Sequence, residues 1–313
     1  MVEDTPAALR PPDAEPTRCG FVAVIGAPNA GKSTLVNALV GAKVTIVSHK
    51  VQTTRARIRG IAMQGAAQLV LVDTPGIFAP KRRLDRAMVE TAWGEAREAD
   101  MVALLIDAAK GLNAETESIL DGLSQMRGPR ALVLNKVDRV ENKGALLTLA
   151  ESVTGAARFD EVFMISALAG SGVSDLRAYL AQNAPAGPWM FPEDQLSDAP
   201  LRLWAAEVTR EKLFLRLHDE LPYASTVETT DWKAMKDGSV RIEQTIFVER
   251  DSQKSIVLGK GGATVKEISM KAREEISQGL GTAAHLFLFV KVRDNWADDP
   301  ERYREMGLEF PKT

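Results

Sequence analysis

Eight residues, Gly26-Ala27-Pro28-Asn29-Ala30-Gly31-Lys32-Ser33, stand between the apolar run GFVAVI and the helical stretch STLVNALV, and this context constrains the fold more than any other feature. The octet fits G-x-x-x-x-G-K-[ST] after a strand and before a helix that closes at Gly41. Glycines at 26 and 31 let the backbone curl so that successive N–H groups face inward, and the helix N-terminus adds its partial positive charge. Such a cradle takes a phosphate. Lys32 would neutralise terminal phosphates, and the Ser33 hydroxyl would ligate Mg²⁺, which prefers oxygen. A glycine-rich turn could match the pattern by itself, so the decision falls to the rest of the chain.

From Cys19 to about Asn183, short apolar runs (GFVAVI, QLVLVD, DMVALLID, RALVLNK, EVFMIS) alternate with longer helical segments. This is βαβ rhythm, and strands apolar nearly throughout belong to a mostly parallel, doubly wound sheet covered on both faces. IRGIAM, at Ile58 to Met63, is expected to be an edge strand in a hairpin. The segment PAGPWMFPEDQLSDAP carries four prolines and no periodicity, as a linker would. Beyond it, Leu201 to Asp219 reads as a helix, while Thr226 to Asp231 and Ser239 to Glu249 read as paired strands turning at Lys236, Asp237 and Gly238. Val265, Ile268, Ala272 and Ile276 share one helical face, then follow the strand HLFLFVKV and a short charged helix after Trp296. The expected division is a Pro-rich tail (1–18), an α/β domain (19–184), a linker (185–200) and a smaller α+β domain (201–313).

Composition removes several classes. With 39 basic against 42 acidic residues and a net charge of −3, no global field draws nucleic acid or anionic lipid, so any such contact is local. The single cysteine, Cys19, cannot form an internal disulfide, and His49, His218 and His285 share no metal-ligand spacing. The N-terminus lacks the charge and apolar run of a signal peptide, and no apolar stretch approaches the roughly 18 residues of a spanning helix. A cytoplasmic protein is expected.

Three further motifs follow the strands. Asp73-Thr74-Pro75-Gly76 comes after QLVLVD: the carboxylate can reach Mg²⁺ through water, and the Gly76 N–H can reach a γ-phosphate. Alone it is an ordinary turn. Asn135-Lys136-Val137-Asp138 comes after RALVL and places Asp138 to accept from the N1–H and N2 amine of guanine, a pair of donors that adenine lacks. An unpaired buried polar group costs about 1–3 kcal/mol, so GTP is favoured over ATP. Lys136 can lay its stem over the base, and Ser166-Ala167-Leu168 can offer a backbone N–H to the guanine oxygen.

The four motifs in this order resemble translation-factor-type GTPases. Val51-Gln52-Thr53-Thr54-Arg55 then resembles their first switch loop, in which a threonine completes the Mg²⁺ shell; the resemblance favours Thr54, while the residues alone leave Thr53 and Thr54 open. It implies GTP/GDP and Mg²⁺ as ligands, Ser33, Thr54 and Asp73 as the metal set, and Lys32, Thr54, Gly76 and Asn29 around the transferred phosphate. Ile77 occupies the place where Ras-like enzymes carry a water-orienting glutamine, so unaided hydrolysis should be slow. Asn29 resembles the asparagine of GTPases that bind K⁺ beside the phosphates, which predicts K⁺ stimulation; a tight turn would accommodate asparagine equally well.

In the second domain, Gly259-Lys260-Gly261-Gly262 precedes an amphipathic helix and forms the G-x-x-G of KH domains, whose loop clamps a nucleic-acid backbone. Between Ser252 and Arg273, Lys254, Lys260, Lys266, Lys271 and Arg273 face one acid, Glu267, a local charge of +4. The element order α-β-β-α-α-β suits the KH arrangement of bacterial ribosome-linked proteins. Together with Phe191-Pro192-Glu193-Asp194, Glu211-Lys212-Leu213, Glu220-Leu221-Pro222-Tyr223, Val290-Lys291-Val292 and Trp296-Ala297-Asp298-Asp299, the chain from about Cys19 to Phe310 resembles the Era family of bacterial GTPases. That resemblance implies a protein that binds the 3′ end of 16S ribosomal RNA and assists maturation of the 30S subunit, with peripheral contact at the inner membrane; the glycine loop and its basic surroundings make Gly259, Lys260, Gly261, Gly262, Lys254 and Lys266 the expected RNA contacts, and a monomer is expected. The extra Gly261 leaves Lys260 as the single phosphate-reaching side chain between the outer glycines. Two rivals remain: a GTPase whose second domain docks a protein or membrane, and one coupled to RNA modification, for which the second domain offers no catalytic cluster.

Overall fold

The computed structural model describes residues 16–311 apart from 51, 52, 125, 127, 219 and 295. Most of the Pro-rich tail, the first two residues of Val51-Gln52-Thr53-Thr54-Arg55, and Asp219 lie outside the described residues.

The first domain is a six-stranded sheet. Its strands are β1 (Arg18–Gly26), β2 (Ile58–Gln64), β3 (Ala67–Asp73), β4 (Met101–Asp107), β5 (Arg130–Asn135) and β6 (Glu161–Met164), in the order β2-β3-β1-β4-β5-β6. All pairings are parallel except β2 with β3, an edge hairpin as the IRGIAM run predicts. β3 and β4 are buried from end to end, because helices cover both faces and neither alternate side chain meets water. On one face α1 (Lys32–Val40) and α5 (Val173–Asn183) pack Leu35, Leu39, Leu176 and Leu180 against Val22 and Val24. On the other, α2 (Arg83–Glu98), α3 (Ala114–Ser124) and α4 (Gly144–Ala156) pack Ala92, Ile119, Leu123 and Val153 against Ala23 and Ile25. β1, β3, β4 and β5 end at Gly26, Asp73, Asp107 and Asn135, which places all these residues at one edge, where open α/β sheets bind ligands.

The second domain runs α6 (Leu201–Arg216), β7 (Ser225–Ala234), β8 (Val240–Val248), α7 (Asp251–Leu258), α8 (Ala263–Leu280) and β9 (Ala284–Val292). Its sheet order is β7-β8-β9, antiparallel then parallel. The first strand continues to Ala234, beyond the alternating stretch, because a bulge between Thr229 and Asp231 resets which face each side chain takes. Ile268, Ala272 and Ile276 of α8 are buried against the sheet, as their spacing predicts.

Two features differ from the picture of two cores on a free linker. Residues 185–200 lie along the edge of the first sheet: Gln68 bonds the backbone of Met190 and Phe191, and Leu196 O accepts from Ile61 N. The segment after β9 also returns to the first domain. Trp296, Tyr303 of α9 (Pro300–Glu305) and Leu308 pack on Leu84, Ala87 and Met88 of α2, and Arg57 N–H donates to Met306 O at 3.0 Å. Sequence periodicity describes each element's own face and carries no sign of which distant element will cover it. Among the described residues no helix is long and apolar enough to cross a membrane.

Candidate functional site

The loop from Gly26 to Ser33 closes as the motif requires. Gly31 has φ 103°, and a Cβ there would lie 2.3 Å from Asn135 Nδ2, so only glycine fits. Lys32 is buried and donates to Gly26 O and Ala27 O, both at 3.1 Å. Burial pushes its ammonium down to about 8, against the attraction of Asp73. A phosphate entering the cradle would meet that cation at once. Gly76 approaches Pro28 so closely that a Cβ would sit 2.9 Å from the proline ring, which keeps the Asp73-Thr74-Pro75-Gly76 turn against the cradle. Thr74 fixes the turn by donating to Val24 O at 2.8 Å. Ile77 is buried and spends its N–H on Gly26 O at 3.1 Å, so neither its N–H nor its side chain can hold a water.

The hydroxyls named for the metal converge on one carboxylate. Ser33 Oγ and Thr54 Oγ1 are 2.9 Å apart and lie 2.8 and 3.2 Å from Asp73 Oδ2. The Thr54 hydroxyl faces this carboxylate, whereas the Thr53 hydroxyl turns away to Lys50 O and Ser48. A third hydroxyl, Thr45 Oγ1, donates to the same oxygen at 2.7 Å. Asp73 Oδ1 is buried without a hydrogen-bond partner among the described residues, and burial raises the carboxyl above its ordinary range while the hydroxyls pull it back. A desolvated carboxylate with a spare oxygen, ringed by hydroxyls, is an all-oxygen donor set, and it fits Mg²⁺.

On the base side, Asn135 braces the loop, donating to Ala30 O at 2.8 Å and accepting from Ala167 N at 2.9 Å. Lys136, in the left-handed conformation at φ 64°, reaches Asn29 O and Asp107 Oδ2 at 2.6 and 2.7 Å. Asp138 stands exposed, held below its usual range by a hydrogen bond from Ser166. Val137 begins the short turn that presents it. Of Ser166-Ala167-Leu168, the first two amides are committed to Ser171 O and Asn135, leaving Leu168 N as the donor without a partner among the described residues; the Leu168 side chain is exposed. Asn29 has φ 63°, a conformation that asparagine tolerates, so turn chemistry accounts for its presence without a second cation.

The loop that carries Thr54 is fastened to the second domain. Arg55, next to Thr54, is buried between Phe214 and Trp296 and donates to the carbonyls of Ser225, Tyr223 and Pro222 at 2.9, 3.1 and 3.4 Å. Burial lowers this guanidinium to about 9, with Arg210 adding repulsion. Arg210 of α6 donates to Thr53 O and pairs with Glu207. Lys50 reaches the carbonyls of Phe214 and Leu217, and Glu211 accepts from Val47 N and Lys43, both at 2.8 Å. None of these partners could be read from the sequence, because a polar loop residue shows no periodicity that names its acceptor.

The G-x-x-G loop separates α7 from α8 on the outer surface. Gly259, Gly261 and Gly262 all have positive φ, at 72°, 59° and 80°, and Gly259 also abuts Thr264 Oγ1, 2.2 Å from where a Cβ would stand. Gly261 thus holds a left-handed position of its own. Lys260 and Lys266 are exposed and Lys254 is half-buried, whereas Lys271 is committed to Glu267 at 2.8 Å. Ile256 and Met270 expose apolar surface beside them.

The comparisons agree with this geometry. The model of the 50S ribosome-binding GTPase family matches residues 21–136, and that of the KH domain matches residues 220–297. GTPase Era of Afipia carboxidovorans is 67% identical over 299 residues, covering 96% of this chain and 97% of that protein. GTPase Era of Rhizobium meliloti is 66% identical over 299 residues, covering 96% and 95%. A solved structure of Era in complex with MgGDPNP and nucleotides 1506–1542 of 16S ribosomal RNA superposes with a TM-score of 0.88 at 36% identity, covering 93% of this chain and 99% of that one. A variant of Aquifex aeolicus Era bound to GDP and AlF₄⁻ gives the same TM-score of 0.88 at 36% identity, again covering 93% and 99%. With a nucleotide cradle at one end of its parallel sheet and a KH domain fastened to the switch loop, the chain belongs to the Era family of GTPases.

Proposed function

We propose that this GTPase is a switch whose GTP-bound state holds the KH domain in an RNA-competent position, that it binds single-stranded RNA at the 3′ end of 16S ribosomal RNA, and that it thereby assists 16S processing and 30S subunit assembly. The observation that carries this reading is the adjacency of Thr54, at the metal site, to Arg55, buried in the KH domain. A γ-phosphate with Mg²⁺ orders a switch loop and its loss releases it. Here the released loop would take Arg55 with it. The bound RNA in the Era structure supports the choice of ligand, as do the exposed Lys260 and Lys266 beside a glycine loop.

Within the site, Gly26, Ala27, Pro28, Asn29, Ala30, Gly31, Lys32 and Ser33 wrap the phosphates, and Asn135, Lys136, Val137, Asp138 and the Ser166-Ala167-Leu168 turn hold guanine. Mg²⁺, when bound by Ser33, Thr54 and Asp73, neutralises charge that develops on the phosphate oxygens. Lys32 and the Gly76 N–H supply further positive charge, and Asp138 discriminates the base. With Ile77 buried, orientation of the attacking water must come from elsewhere, a partner, a loop or a second cation, which makes slow intrinsic turnover the expected behaviour. Asn29 remains our candidate for holding K⁺ beside the phosphates, and equal turnover in K⁺ and Na⁺ buffers would remove it. RNA binding is tested by replacing Lys260 and Gly261 with Asp: salt-dependent binding of the 3′-end RNA should be lost while GTP binding persists; RNA binding retained by the variant would remove the glycine loop as the RNA site, and no RNA binding by the unaltered protein would point to a protein or membrane as the ligand of this domain.

A further inference from the structure

Thr45 lies outside the motifs that define the site, yet its hydroxyl makes the shortest of the contacts to Asp73 Oδ2, at 2.7 Å, and the residue is 2% exposed. Its backbone is held on both sides by one side chain. Asn37, one turn after Ser33 on α1, accepts from Val44 N and Thr45 N at 2.9 and 3.0 Å and donates to Thr45 O at 2.8 Å. Val44 and Ile46 are buried on either side, so the strut ties the start of the connection between α1 and β2 to α1, upstream of the stretch of the same connection that carries Thr54. From this geometry we infer that Thr45, braced by Asn37, is a positioning residue for Mg²⁺: it holds the Asp73 carboxylate in its metal-facing orientation whichever nucleotide is bound.

Two of the three hydroxyls on Asp73, those of Ser33 and Thr54, are the ones that would hold the cation in the proposed site and so would be drawn from the carboxylate to it. Thr45 alone stays with the carboxylate. A carboxylate that keeps one fixed donor loses less rotational freedom on meeting its ion, and outer-shell partners of this kind typically contribute tenfold or more to metal affinity. Thr54 should act only while a γ-phosphate orders the switch, because its loop is otherwise released. Thr45 should act in both states.

The inference rests on the nucleotide-site reading and is independent of RNA. The test is the Mg²⁺ concentration that half-maximally slows release of a fluorescent GDP and of a fluorescent GTP analogue, with release in EDTA as the metal-free reference. Thr45→Val should need roughly ten times more Mg²⁺ for both nucleotides, with release in EDTA unchanged, and Thr45→Ser should restore the wild-type value. Thr45→Ala removes the hydroxyl without adding a buried methyl and should behave as Thr45→Val does. Thr54→Val should shift the midpoint for the analogue only. An unchanged midpoint in both hydroxyl-free variants would overturn the inference, as would an equal loss of affinity in EDTA, which would mean that Thr45 shapes the pocket rather than the metal site. If Mg²⁺ fails to slow GDP release from the wild-type protein, the nucleotide-site reading falls first and this inference with it.

Discussion

Single residues divide here into those whose chemistry is exposed and those whose fit is structural. Asp138 is exposed, and in the proposed reading it only recognises the base, so Asp138→Ala should weaken GDP binding by on the order of a hundredfold, the loss of two charge-assisted hydrogen bonds, and leave the melting temperature nearly unchanged. Fluorescent nucleotide titration and a thermal melt check both halves. Gly31→Ala should fail differently. Its Cβ would strike Asn135 Nδ2, so the bond from Asn135 to Ala30 O breaks and both nucleotide affinity and stability fall, the latter by about 1–3 kcal/mol in urea unfolding. Residues of this kind were legible in the sequence because they belong to motifs with fixed spacing. Thr45, Asn37 and Asp107 were not: each acts through a partner distant in the chain, and nothing in its neighbourhood separates it from a loop or helix residue of no consequence.

Among elements, the strands and helices follow from periodicity, and the bonds between them do not. The buried strands of the first sheet and the apolar face of α8 read directly from their patterns, because burial on one or two faces leaves a period in the sequence. The fastening of the switch loop leaves none. Arg55 provides its test: Arg55→Met keeps the apolar stem between Phe214 and Trp296 but removes the donors to three KH carbonyls, those of Ser225 and Pro222 in buried bonds. Unfolding free energy should drop by roughly 2–4 kcal/mol, and the preference of RNA binding for one nucleotide state should shrink toward unity while affinity for GDP holds. A variant with normal stability and an undiminished preference would show that the loop and the KH domain are not coupled through this side chain.

For the whole molecule, the linker and the C-terminal segment make two domains behave as a joined unit. Trp296 is buried where the return segment meets α2, with its Nε1–H donating to Ala224 O at 3.1 Å, so Trp296→Ala should cost about 3–5 kcal/mol and separate one unfolding transition into two in calorimetry. Composition gave no hint of this return, since a charged segment after the last strand reads as a solvated end. Motifs and domain order carried the functional reading, and the physical link between the domains came from the fold. The most direct measurement is the affinity of the protein for a pyrimidine-rich RNA matching the 3′ tail of 16S ribosomal RNA, taken by fluorescence anisotropy with a GTP analogue, with GDP and with neither. Binding that is tightest with the analogue is the predicted result; equal affinity in all three states, or no binding in any, would contradict a switch that governs RNA through its KH domain.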